Sequence, residues 1–408
     1  MLDTCKGELK EMKKVRKFGC TLVRSFLPVG QGGFYVEQFQ EGNNDYPGKT
    51  VNIVYDCGSL TGEKYVENQI HDTFMPNEII DAVFISHLDA DHINGLHELL
   101  SYCHVLVVYL PYLTETEKQI TLIHACFSAY ENKSALSSFQ AQLITAPVSA
   151  IRDAGSNDDE MQTSVAFVTP LEYDKTEYDF ELLTIASGVQ ITSGNFTDLE
   201  KQTLARWRFV PWNFENIRHT NCFISELIAE GLIQTISDLP QFIEEVCQPT
   251  FWGKSVHAKK LKGIYRKLPG NINTNSMALY SGPTPLAPFM RQDVLLNGTI
   301  KHLIGDCNDG CLYLGDFDAS QNFDALFSAY SDYVPNIGIM QIPHHGSLDS
   351  YNRKISSLLF FFIISAGSKN PYRHPSTLVT VDLIKNRARF AVVTEDIGSR
   401  IQCCVKNV

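Results

Sequence analysis

The sequence predicts a mixed α/β chain in which two strand-rich ends bracket one largely helical block. Segments toward both ends alternate or run apolar over short stretches between turn residues, which marks strands. The segment IIDAVFIS at 79–86 is almost continuously apolar, so both of its faces must be covered. Between 113 and 269 the apolar spacing becomes mostly helical, with polar loops such as 153–159.

In chain order, the predicted strands CTLVRSFL (20–27) and FYVEQF (34–39) flank the turn Gly30-Gln31-Gly32-Gly33, and VNIVYDCG (51–58) follows. A helix over 62–74 leads into the strand at 79–86, and a helix over 92–100 and a strand over 105–110 come next. Past the helical block, strands resume at SMALYSG (276–282) and CLYLG (311–315). A helix near 320–330, strands at 336–343 and 358–365, a helix at 376–386 and strands at 389–394 and 400–405 complete the pattern. No fixed-period repeat or low-complexity tract interrupts it. Residues 20–110 and 270–405 form one expected domain, with 113–268 as a mostly helical elaboration. Polar clusters follow strands in both ends, so one site assembled from both halves is expected.

The chain has 408 residues, 44% of them apolar and 20% charged, the composition of a globular protein of two or three domains at about 150 residues each. Lys plus Arg (34) against Asp plus Glu (46) leaves a net charge of −12. Such a surface repels phosphate polymers overall and excludes a general nucleic-acid coat protein. The longest apolar run, LLFFFII (358–364), is far shorter than a membrane helix, and no membrane partner is expected. The first residues mix acidic and basic side chains where a secretory signal would be apolar. Eleven scattered cysteines include no pair of C-x-x-C knuckles, so they are read as reduced thiols of a cytoplasmic protein, with Cys307 and Cys311 no more than a potential metal clip.

The chemistry is concentrated in four clusters. At the end of the apolar strand stands Ser86-His87-Leu88-Asp89-Ala90-Asp91-His92, which packs two imidazoles and two carboxylates into six residues. In a strand-to-helix turn these side chains can serve two adjacent cations, and core packing calls for none of them. Asp316 follows the strand CLYLG, where a carboxylate can equally cap a helix. His344-His345-Gly346 follows the strand ending at Pro343, and Asn370-Pro371-Tyr372-Arg373-His374-Pro375 follows 358–367. For His374 the alternative is plain packing before a proline that starts a helix.

The order Val29-Gly-Gln-Gly-Gly33, Tyr55-Asp-Cys-Gly58, H-x-D-x-D-H at 87–92, Asn275-Ser276, Leu314-Gly-Asp316, PHHGS at 343–347 and N-x-x-x-H-P at 370–375 resembles the metallo-β-lactamase superfamily. More narrowly, it is similar to the soluble hydrolase domain of the competence protein ComEC, without the membrane channel that accompanies that domain. The likeness covers 20–110 and 270–405. It implies an αββα sandwich and a binuclear site of two divalent ions. By that likeness His87 and Asp89 hold the first metal, Asp91 and His92 the second, Asp316 bridges them and His345 completes the second. His344 would then contact a substrate phosphate, and Asp56 would orient the metal-binding loop. Asp89, where the superfamily commonly has a histidine, makes the first site harder, so Mn²⁺ is expected to serve as well as Zn²⁺. A further histidine ligand found in many relatives has no evident counterpart, with His219, His257 and His302 candidates by position only.

The implied activity is phosphodiester hydrolysis by a metal-activated hydroxide, most simply by a nuclease, with Asp91, His344 and His374 as catalytic residues. Lys254, Lys259, Lys260, Lys262, Arg266 and Lys267 form a basic stretch that either contacts a nucleic-acid strand or is a solvated face. Trp207, Phe209, Trp212 and Phe214 either stack bases or pack the core of a half-buried strand. Two other readings stand beside the nuclease, which itself would suit an effector of a bacterial defence cassette. One is a hydrolase of small phosphodiesters such as phosphocholine esters. The other is a partner-activated or non-catalytic module whose helical block binds a protein.

Overall fold

A computed structural model describes residues 20–43, 46–155, 162–171, 182–192, 207–215, 217–254, 256–268, 275–284, 292–296, 299–302 and 308–406. Cys5, Cys307 and the loop residues 156–159 lie outside them. Strands β1 (Cys20–Phe26), β2 (Phe34–Asn43) and β3 (Tyr46–Cys57) form an antiparallel meander. Helix α1 (Glu63–Thr73) follows, then β4 (Ile79–Ile80) and β5 (Ala82–Phe84). The expected single strand over 79–86 is therefore split. Asp81 turns the chain, its carboxylate accepting from the Asn52 amide at 2.8 Å while its own amide donates to the Asn52 carbonyl. β4 pairs instead with β6 (His104–Val105) in a separate two-stranded sheet.

The expected helix over 92–100 is likewise two, α2 (Ala90–Ile93) and α3 (Leu96–Tyr102). Between them the Asn94 side chain clamps the Ser59 backbone, and Gly95 passes so close to Val66 that a Cβ would sit 2.6 Å from its methyl. β7 (Val107–Pro111) precedes α4 (Glu115–Glu131), whose start is fixed by a reciprocal capping box between Thr114 and Glu117. Helices α5 (Ser138–Thr145) and α6 (Pro147–Ala154) complete this layer.

The block expected to be mostly helical also supplies three strands, two of which have no counterpart in the sequence reading. β8 (Ser164–Thr169) and β9 (Leu183–Ala186) extend the first sheet, and β10 (Trp207–Glu215) edges the second. Short strands set between long helices carry too few residues to impose their own period on the pattern. Helices α7 (Ile217–Ala229), α8 (Leu239–Val246), α9 (Pro249–Lys254) and α10 (Val256–Lys267) follow. Then come β11 (Asn275–Pro283), β12 (Gln292–Leu296), β13 (Thr299–His302), β14 (Gly310–Tyr313), α11 (Ala319–Ala329), β15 (Ile337–Gln341), β16 (Phe361–Ser365), α12 (Thr377–Lys385), β17 (Arg389–Val393) and β18 (Ile401–Lys406). Of these, β12 and β13 have no counterpart in the sequence reading.

The first sheet runs β13-β12-β18-β1-β2-β3-β5-β7-β8-β9 and the second β10-β11-β14-β15-β16-β17. Phe26, Tyr35, Phe84, Trp207, Phe209, Tyr313 and Phe361 are buried in the core between them. The outer face of the first sheet packs on helices through residues such as Val66, Leu99 and Ile123, and that of the second on α11 and α12 through Leu326 and Leu383. This is the expected helix, sheet, sheet, helix order of an αββα sandwich. Trp207 and Phe209 take part in the inter-sheet core, and Trp212 and Phe214 pack on the opposite face, so all four aromatics serve packing. A buried ion pair, Arg24 Nε to Glu37 Oε1 at 2.7 Å, ties the sheets because Ser281 and Tyr313 also donate to Glu37. No helix among the described residues is long and apolar enough to cross a membrane, and Cys57, Cys103, Cys126, Cys222, Cys247 and Cys311 are free thiols.

Candidate metal centre

The site stands where β3, β5, β14, β15 and β16 end. Asp56, at the tip of β3, adopts a left-handed φ of 55°, a conformation with a steric cost for a residue bearing a Cβ. Three contacts offset it: Asp56 accepts from the Ser86 amide at 2.7 Å, the Ser86 hydroxyl at 2.9 Å and His92 Nδ1 at 2.8 Å. The glycine motifs permit this packing. Gly33 donates to the Asp91 carbonyl at 3.0 Å, and a Cβ on Gly58 would lie 2.5 to 2.6 Å from the Asp91–His92 backbone.

His87, Asp91, His92, Asp316 and His345 are buried together, with Asp89 and His344 partly exposed at their edge. Their geometry centres on Asp316. Oδ1 lies 3.3 Å from His92 Nε2 and 3.7 Å from His345 Nε2, while Oδ2 lies 3.8 Å from His87 Nε2 and 3.5 Å from His344 Nε2. One carboxylate thus faces two imidazole sets with different oxygens. Asp91 Oδ2 is 3.1 Å from His345 Nε2, and Asp89 Oδ2 is 3.6 Å from His87 Nε2.

The far nitrogen of each ring is engaged elsewhere. His345 Nδ1 donates to the Ser365 carbonyl at 2.8 Å, His87 Nδ1 lies 2.9 Å from the Ser86 hydroxyl, and His344 Nδ1 lies 2.9 Å from the Ser350 hydroxyl. Nε2 of His87 and of His92 are buried without a hydrogen-bond partner. Rings held by Nδ1, with Nε2 turned toward carboxylates, match the way proteins orient metal-binding imidazoles. The donor atoms of His87, Asp91 and His92, and those of His92, Asp316 and His345, each lie within 4.8 Å of one another. These residues fit divalent cations.

The electrostatics agree. Burial alone would raise the Asp91 and Asp316 carboxyls, but the surrounding histidines outweigh it and hold both below the usual range. Burial alone would lower His92 and His345, and the facing carboxylates raise them instead. His344 and His374 differ. Burial lowers both, and with His344 and His345 beside it His374 is pushed down to about 4.

Of the nine acidic and imidazole positions singled out, Asp56, His87, Asp89, Asp91, His92, Asp316, His344 and His345 join the cluster. His374 stands at its rim, its ring centroid 5.7 Å from that of His344. Three histidines, His219, His257 and His302, are candidates for the missing imidazole by position only. His219 is buried with an imidazole pushed down to about 4 by burial and nearby His124, His257 lies beside Phe251, and the His302 side chain is outside the described residues. The imidazole that approaches is His124 of α4, whose Nε2 lies 3.3 Å from Asp89 Oδ2. A supporting chain also escaped the sequence reading. Gln341 Oε1 accepts from the Leu314 and Gly315 amides, Gln341 Nε2 donates to the Tyr35 hydroxyl, and Tyr35 donates to Ser365.

A cleft of about 290 Å³ opens over these groups, walled on one side by His124, Phe127 and Glu131 of α4. Gln31, Leu60 and Tyr372 are shared with a neighbouring polar groove of about 530 Å³ that reaches Lys369. The basic stretch of α10 is partly taken up in pairings: Lys262 bonds Glu131 of the cleft wall at 2.7 Å, Lys267 pairs with Glu226 and Glu230, and Lys260 donates to the Glu230 carbonyl.

Residues 47–118 match the family model of the metallo-beta-lactamase superfamily. A search of curated proteins found no match. The matched span runs from β3 into α4 and includes Asp56, His87, Asp89, Asp91 and His92, while Asp316, His344, His345 and His374 lie beyond it. The fold is that of the metallo-β-lactamases. The fold is thus consistent with the matched superfamily, whose members are mostly metal-dependent hydrolases.

Proposed function

We propose that this chain is a divalent-metal-dependent phosphodiesterase whose substrates are nucleic acids, in keeping with the ComEC-like order of its motifs. The observation that carries the reading is Asp316, one buried carboxylate whose two oxygens face two separate imidazole sets. Asp316 would stand between two cations, His87 and Asp89 would hold one, and Asp91, His92 and His345 would hold the other. Bound cations supply Lewis acidity and an activated water. The chain's own part is to orient and to donate. Asp56 and Ser365 fix the His92 and His345 rings. His344 and His374, side by side at the rim and kept neutral by burial, present N–H groups to a non-bridging phosphate oxygen and to the leaving group. The polar groove beyond Tyr372 offers room for chain on one side of the scissile bond.

Hydrolysis of a small phosphodiester is the second reading. Asp349 in the cleft wall, on a chain of net charge −12, favours a substrate with little charge beyond the scissile group. The test is to incubate Mn²⁺- and Zn²⁺-loaded protein with linear, circular and single-stranded nucleic acids and with bis(p-nitrophenyl) phosphate. Cleavage of the polymers supports the nuclease. Turnover of the small ester alone transfers the reading to small phosphodiesters, and inactivity on all of them overturns it.

A further inference from the structure

We infer that His124 of α4 is a ligand of the first cation, completing with His87 and Asp89 a set that the two strand-rich halves leave short. The inference rests on the binuclear reading above. Asp89 Oδ2 stands between two imidazoles, 3.6 Å from His87 Nε2 and 3.3 Å from His124 Nε2. Donor atoms that share a tetrahedral ion at about 2.0–2.2 Å sit roughly 3.3–3.6 Å from one another, and the two edges that meet at Asp89 have that length, although the donor atoms of His87, Asp89 and His124 do not all lie within 4.8 Å of one another. Asp316 Oδ2 lies 3.8 Å from the same His87 Nε2.

The position of His124 is well determined. The capping box at Thr114 fixes where α4 begins, and buried Ile120 and Ile123 dock the helix on the first sheet. The next turn contributes Phe127 to the same cleft, and Tyr265 of α10 stacks on Phe127 with centroids 4.2 Å apart and lies 5.7 Å from the His124 ring. The helical layer therefore places an imidazole against the carboxylate that stands where the superfamily commonly has a histidine. Ser276, which follows the Asn275 position of the family-like pattern, is used otherwise, its hydroxyl donating to the Leu314 carbonyl at 3.2 Å.

Co²⁺ titration followed by visible absorption, with metal content measured after gel filtration, tests the assignment in wild type, His124→Ala and His124→Gln. Wild type should bind two Co²⁺. Both variants should keep the ion held by Asp91, His92, Asp316 and His345 and lose affinity for the other by at least about tenfold, with weaker absorption as water replaces nitrogen. Folded variants that bind two ions with wild-type affinity and spectrum overturn the role of His124. Wild type that binds fewer than two overturns the binuclear reading beneath it. If neither variant folds, an anomalous-difference map of Co²⁺-loaded wild-type crystals decides. A peak about 2.1 Å from His124 Nε2 supports the assignment, and a first-site peak beyond about 3 Å from it overturns it.

Discussion

Asp56 Oδ2 lies 2.8 Å from His92 Nδ1, and Oδ1 of the same carboxylate accepts the Ser86 amide. One side chain, in a left-handed backbone conformation, thereby aims an imidazole at the cluster and pins the strand end that leads to His87. Its action on any cation passes through His92.

Replacing Asp56 with Asn should keep the fold and the backbone contact to Ser86 while weakening the hold on His92. Metal affinity is expected to fall by about 10- to 100-fold, with stability little changed. Isothermal titration with Zn²⁺ or Mn²⁺ checks this, and unchanged affinity would show that His92 needs no such support.

Glu37 makes the opposite kind of contribution. It accepts from Arg24, Ser281 and Tyr313 between the two sheets, so Glu37→Ala strands a buried guanidinium. A loss of about 3–5 kcal/mol in unfolding free energy is expected, read by urea denaturation, with the metal ligands untouched. A loss under about 1 kcal/mol would mean that Arg24 finds other partners.

The half-buried His374 imidazole, pushed down to about 4 by burial and by His344 and His345, links stability to pH. Between roughly pH 6.5 and 4 the unfolded chain takes up a proton on this residue that the folded chain does not, so folding stability rises with pH across that window and is lost as pH falls toward 4. His374→Gln should therefore lose less stability than wild type between pH 6.5 and 4.5 in metal-free buffer. Parallel pH dependences in the two proteins would contradict the shift.

How much of this was legible in the sequence depends on how local each feature is. His87, Asp89, Asp91 and His92 announce themselves because four ligand-type side chains in six residues have no packing purpose. Asp316 and His345 show as polar tips of apolar strands. His124 gave no such sign, being one imidazole on a helix whose neighbours Ile123, Ala125 and Cys126 read as ordinary core, and only the docking of α4 turns it toward Asp89. Asp81 broke an apparently continuous strand because its two bonds to Asn52 come from a segment almost thirty positions away. The strands at 164–169 and 183–186 were hidden among helices, whereas the alternating aromatics Trp207, Phe209, Trp212 and Phe214 already marked the third as a half-buried strand.

The most direct measurement combines metal content with hydrolysis of bis(p-nitrophenyl) phosphate, for wild type and Asp316→Ala purified side by side. Wild type should carry two divalent ions per chain and turn the ester over, whereas Asp316→Ala, still folded by circular dichroism, should lose at least one ion and about a hundredfold or more in rate. A folded Asp316→Ala protein with two ions and wild-type turnover would contradict a site built around that carboxylate.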